Sequence, residues 1–73
     1  MRLQRCEQAL ADAVVCTNLQ PGWAKGHARR GAALFGLGQF RDSVQAYQVG
    51  LELQPGNEQM RSAMEEAQTR ISD

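Results

Sequence analysis

Lys25 and Arg29 stand four residues apart in the run Trp23-Ala24-Lys25-Gly26-His27-Ala28-Arg29-Arg30-Gly31. On a helix that spacing puts both cations on one face. No acidic residue lies three or four positions from either of them, so nothing on the same helix neutralises the pair. Ala28, Ala32 and Phe35 fall on the same side. Two cations above a shallow, partly apolar surface suit a carboxylate, which a guanidinium can grip through two parallel hydrogen bonds. Small alanines would leave room for a ligand backbone, and Phe35 would offer an apolar contact. By charge alone the same pair also reads as ordinary solvated helix surface, and spacing does not separate the two readings.

Other reactive side chains point to less. His27 has no Ser, Cys or acid in a plausible relay and reads as a packing residue. Glu65 and Glu66 are adjacent rather than facing, which is a solvated face and not an acid–base pair. Cys6 and Cys16 lack companions at metal-ligand spacing and read as reduced packing residues. There is no phosphate loop and no nucleophile elbow, so the expectation is a non-enzyme without cofactor or metal. Eight Lys plus Arg balance eight Asp plus Glu, whereas nucleic-acid binders carry a basic excess. No apolar run is long enough for a membrane span, and Met1-Arg2-Leu3-Gln4-Arg5 leads into a mixed polar helix, not an apolar leader. The expected location is the cytoplasm or the nucleus.

The elements that must position Lys25 and Arg29 follow from period and punctuation. Residues 2–19 place Cys6, Ala9, Leu10, Ala13, Cys16 and Thr17 on one helical stripe. Pro21 ends that helix, because proline has no N–H to donate and disfavours helix at the residue before it. A second helix, residues 24–37, runs into Gly38, the residue type that favours a left-handed C-cap. Trp23 at its start is expected to pack on the preceding helix, with an exposed binding contact as the alternative. A third helix, residues 40–53, carries Val44, Tyr47, Leu51 and Leu53 and stops at Pro55. Asn57 is the N-cap expected for a fourth, whose stripe is Met60, Ala63, Met64, Ala67 and Ile71. Nothing alternates like a strand. The fold class is all-α.

Leu-Gln-Pro-Gly occurs at residues 19–22 and again at 53–56, a period of 34. That period, with Gly31, small Ser43, Tyr47 and Pro55 in register, resembles the tetratricopeptide helix–turn–helix repeat. His27 and Arg30 depart from the large apolar residues of the pattern, and both are expected at the edge of the stripe with polar tips in water. The resemblance implies antiparallel helix hairpins in one partial domain spanning residues 1–73. Its parts are the second helix of an incomplete repeat (2–20), a complete repeat (24–55) and a capping helix (57–71). It also implies that Lys25, Ala28, Arg29, Ala32 and Phe35 face the inner surface of the superhelix. The run from Trp23 to Leu34 is similar to the carboxylate-clamp co-chaperones of this family. There a Lys and an Arg at these positions hold the C-terminal Asp of heat-shock chaperone peptides ending Glu-Glu-Val-Asp, helped by a Lys and two Asn from earlier repeats that this sequence does not contain. The implied function is a protein-interaction adaptor. The alternative is a structural element that pairs with another copy through an exposed apolar face of the first helix.

Overall fold

The computed structural model describes residues 3–71, with side chains described for residues 8–71. Arg2, where the first helix is expected to start, and the side chain of Cys6 lie outside the described residues. Four helices follow one another: α1 (Leu3–Leu19), α2 (Ala24–Gly36), α3 (Phe40–Leu53) and α4 (Glu58–Ile71). No strand occurs among the described residues, and each helix agrees with its predicted span to within a residue or so.

The repeated Leu-Gln-Pro-Gly builds the same turn twice. At the first copy Gln20 N–H donates to Cys16 O (2.8 Å) and Trp23 N–H to Gln20 O (3.0 Å). At the second, Gln54 N–H donates to Gly50 O (2.9 Å) and Asn57 N–H to Gln54 O (3.1 Å). The helices they open differ in one respect. Asn57 Oδ1 accepts the Met60 N–H at 3.0 Å, the N-cap expected of it, whereas Trp23 makes no side-chain cap for α2. Between α2 and α3, Gly38 adopts φ +81°, a left-handed conformation that glycine takes without strain. Around it Gln39 N–H reaches Leu34 O (2.9 Å) and Gly38 N–H reaches Phe35 O (3.0 Å). These two bonds form a Schellman ending that satisfies carbonyls a helix otherwise leaves free.

The hairpin α2–α3 closes through small groups. Ser43 is fully buried, and its hydroxyl donates to Gly31 O at 2.7 Å. A Cβ on Gly31 would lie 2.7–2.9 Å from three ring atoms of Tyr47, so only glycine lets the ring lie on α2. Gly50 is similarly close to the thioether of Met60 on α4. Ala24, Tyr47 and Met60 form the core, with Ala28, Leu51, Ala63 and Met64 packed against it. α2 touches all three other helices, while the α1 backbone packs only against α2. There Ala13 and Thr17 of α1 are buried, and Thr17 turns its hydroxyl inward onto Val14 O (2.9 Å).

His27 corrects an expectation. It does not sit at the edge of the stripe with a wet tip: it is 8% exposed, and Nε2 lies 2.8 Å from Pro21 O. A protonated Nε2 donating to that carbonyl satisfies the ring nitrogen, which is what makes the burial tolerable. Arg30 keeps the expected place at the surface.

Candidate peptide-binding site

The five predicted site residues all lie on α2, but its two flanks divide them. On one flank a depression of about 460 Å³ opens against α3 and α4. Trp23, Lys25 and Ala28 form its α2 wall, opposite Tyr47, Met60 and Ala63. On the other flank a depression of about 320 Å³ opens against α1, and Arg29, Ala32 and Ala33 face Ala13, Cys16 and Asp12 there. Lys25 and Ala28 are thus brought together, as are Arg29 and Ala32. Phe35 lines neither hollow. It packs edge-on against Phe40, with centroids 5.1 Å apart at 71°, and the Arg70 guanidinium lies 5.9 Å from its ring centre.

Trp23 joins the two flanks. Its indole lines the Lys25 depression, while the Arg29 guanidinium lies 5.7 Å from its ring centre, within cation–π range. Its Cε3, with Cys16 Cβ and Thr17 Cγ2, surrounds the open side of Gly26 at 3.5–3.7 Å from where a Cβ would stand. The ring nevertheless stays 38% exposed. Trp23 therefore takes part of each expected role, closing over the α1–α2 junction and keeping a face in solvent.

Among the described residues one ion pair occurs, the exposed Arg61–Glu65 pair on α4 at 3.8 Å, so neither Lys25 nor Arg29 is held by a carboxylate. Asp12 shares the Arg29 hollow without closing a salt bridge. Tyr47 lines the Lys25 depression, and the pKa of its hydroxyl is pushed above its usual range first by burial and then by the charge of Glu66. The hydroxyl remains a neutral donor at physiological pH. Sequence reasoning missed Tyr47, Met60 and Asp12 as site neighbours, since they arrive from other helices. No cluster of His, Cys, Asp or Glu suited to a metal occurs among the described residues, and no helix there is long and apolar enough to cross a membrane.

Comparison with known proteins finds relatives for most of the chain. No family model matches the chain, and no solved structure does. The chain is 43% identical over 65 residues to an Hsp70-Hsp90 organizing protein of Triticum aestivum, a match covering 89% of this chain and 11% of the relative. It is 46% identical over 67 residues to a heat shock protein sti1 homolog of Schizosaccharomyces pombe, covering 88% of this chain and 11% of the relative. It is also 32% identical over 66 residues to a small glutamine-rich tetratricopeptide repeat-containing protein 2 of Mycosarcoma maydis, covering 90% of this chain and 19% of the relative. These similarities support the resemblance to tetratricopeptide-repeat proteins. The chain spans only 11–19% of the length of these relatives. The small residues at the α2–α3 crossing are Gly31 and Ser43, while Gly50 lies against Met60 of α4.

Proposed function

We propose that this tetratricopeptide-like chain is a non-enzymatic protein-interaction module of a cytoplasmic co-chaperone-like adaptor. In this reading Lys25 and Arg29 take the carboxylates of an acidic C-terminal peptide, as borne by heat-shock chaperones ending Glu-Glu-Val-Asp. The single observation that carries the reading is the pair of exposed cations, one turn apart on α2 and free of carboxylate partners, each beside a hollow floored by alanines. Ala28 and Ala32 leave room for the peptide main chain, and Phe35 supplies apolar surface farther along α2. Residues 24–55 serve as the complete repeat, residues 2–20 as the second helix of another, and residues 57–71 as the cap.

The strength expected of this chain alone is modest. Two charge-assisted bonds contribute at best about 1.5–3 kcal/mol each, together roughly 3–6 kcal/mol, which corresponds to a Kd of roughly 40 μM to 6 mM before the entropy cost of association. Nuclear magnetic resonance titration of the chain with a Glu-Glu-Val-Asp peptide is therefore the suitable assay. Shifts on α2 that saturate, and that are lost on Lys25→Ala or on amidation of the peptide C-terminus, are expected. Equal shifts from the Lys25→Ala chain would sink the carboxylate reading.

A second reading, pairing of two copies through α1, is favoured by Val15 and Leu19, which are 55% and 77% exposed one helical turn apart. Sedimentation equilibrium tests it: a strictly monomeric chain at high concentration excludes the pairing.

A further inference from the structure

We infer that Trp23 is a positioning residue of the binding site, holding the Arg29 guanidinium so that it and Lys25 act on one ligand terminus. The inference rests on the carboxylate reading above. Lys25 and Arg29 open onto different flanks of α2, and a guanidinium on four rotatable bonds would otherwise sample solvent freely. Among the described residues Trp23 both lines the Lys25 hollow and stacks near Arg29. It precedes α2 in extended conformation (φ −96°, ψ 105°), which places the indole beside the first turn of the helix. There it forms a wall of the Lys25 hollow and lies 5.7 Å from the Arg29 guanidinium. Stacking on an aromatic face suits arginine in particular, because its flat, weakly hydrated head loses little on leaving water and keeps its in-plane N–H groups for a carboxylate. Ordering Arg29 before the ligand arrives removes part of the entropy that binding would otherwise cost. The exposed part of the indole then borders the ligand on the same side.

Two measurements on the full chain test this. In the free protein, the Arg29 δ and ε protons are expected upfield of their positions in a Trp23→Leu chain, through the ring current of the indole. In binding, a labelled peptide ending in Glu-Glu-Val-Asp is followed by anisotropy. Trp23→Ala is expected to weaken it about two- to fivefold, and Trp23→Phe to restore it to within about twofold. In an Arg29→Ala background the Trp23→Ala change is expected to have no further effect. Thermal melts of each variant exclude loss of folding as the cause. Trp23→Ala binding as tightly as the parent, Trp23→Phe binding as weakly as Trp23→Ala, or an undiminished loss in the Arg29→Ala background would each overturn the inference. If no peptide binds and Lys25→Ala changes nothing, it is the carboxylate reading that falls. The ring-current shift then decides the Trp23–Arg29 pairing alone, and ordinary Arg29 proton positions refute it.

Discussion

Replacing Gly31 by alanine puts opposing forces of known size on one atom. In the middle of a helix alanine is favoured over glycine by about 1 kcal/mol. The added Cβ, however, would sit 2.7, 2.8 and 2.9 Å from Cε2, Cδ2 and Cζ of Tyr47, all shorter than an ordinary carbon–carbon contact. Tyr47 is 6% exposed and packed with Ala24 and Met60, so the ring can withdraw only by disturbing the core. Overpacking of this kind costs about 1–3 kcal/mol. The net is a destabilisation of about 1 kcal/mol, or roughly 4–8 °C in melting temperature for a chain of this size. Gly26 is the internal control. A Cβ there meets Thr17, Trp23 and Cys16 at 3.5–3.7 Å, which is ordinary contact, so Gly26→Ala is expected to stabilise by up to about 1 kcal/mol. Urea and thermal unfolding followed by circular dichroism compare the two. In a Tyr47→Leu background the clash disappears, and Gly31→Ala is expected to become stabilising. A Gly31→Ala chain that melts at or above the parent while Tyr47 is intact would refute the view that the ring's seat on α2 fixes the crossing.

Asn57→Ala removes the acceptor of the Met60 N–H and is expected to cost about 1 kcal/mol, while Asn57→Asp keeps the cap; thermal melts of the two separate capping from any other role of the residue. For Tyr47 the folded-state pKa lies above the usual 10.0, so the unfolded chain loses the phenolic proton first. The stability tied to the neutral hydroxyl is therefore complete below that pH and is lost as pH rises through the folded value. Urea midpoints measured between about pH 9 and pH 12 are expected to fall more steeply for the parent than for Tyr47→Phe.

Much of the architecture is legible in the sequence, because the features that build it are local. Pro21, Pro55 and the period between them locate the turns, Asn57 announces a cap, and Gly38 announces a left-handed ending; each acts within a few residues of itself. Ser43 is readable as a small residue at a crossing, though its bond to Gly31 O spans two helices. What stays hidden depends on partners that no periodicity specifies. His27 looks misplaced in an apolar slot until Pro21 O, six residues back, is seen to satisfy it. The five site residues share a face on paper, yet α1 dock on one side of α2 and α3 and α4 on the other, so that face is split into two hollows. Trp23 and Arg29 stand six apart across a helix start, where helical spacing no longer says who meets whom.

The central place of α2 has a further consequence. The α1 backbone packs against α2 alone, whereas those of α3 and α4 also pack against each other, so α1 can detach while the remaining three helices keep their mutual contacts. Order in this chain is then graded in time as well as in space. Amide protons of α1 would exchange through brief local excursions, and those at the α2–α3 crossing only when the whole chain opens. The hollow holding Arg29 is remade at every return of α1, while the one holding Lys25 persists throughout.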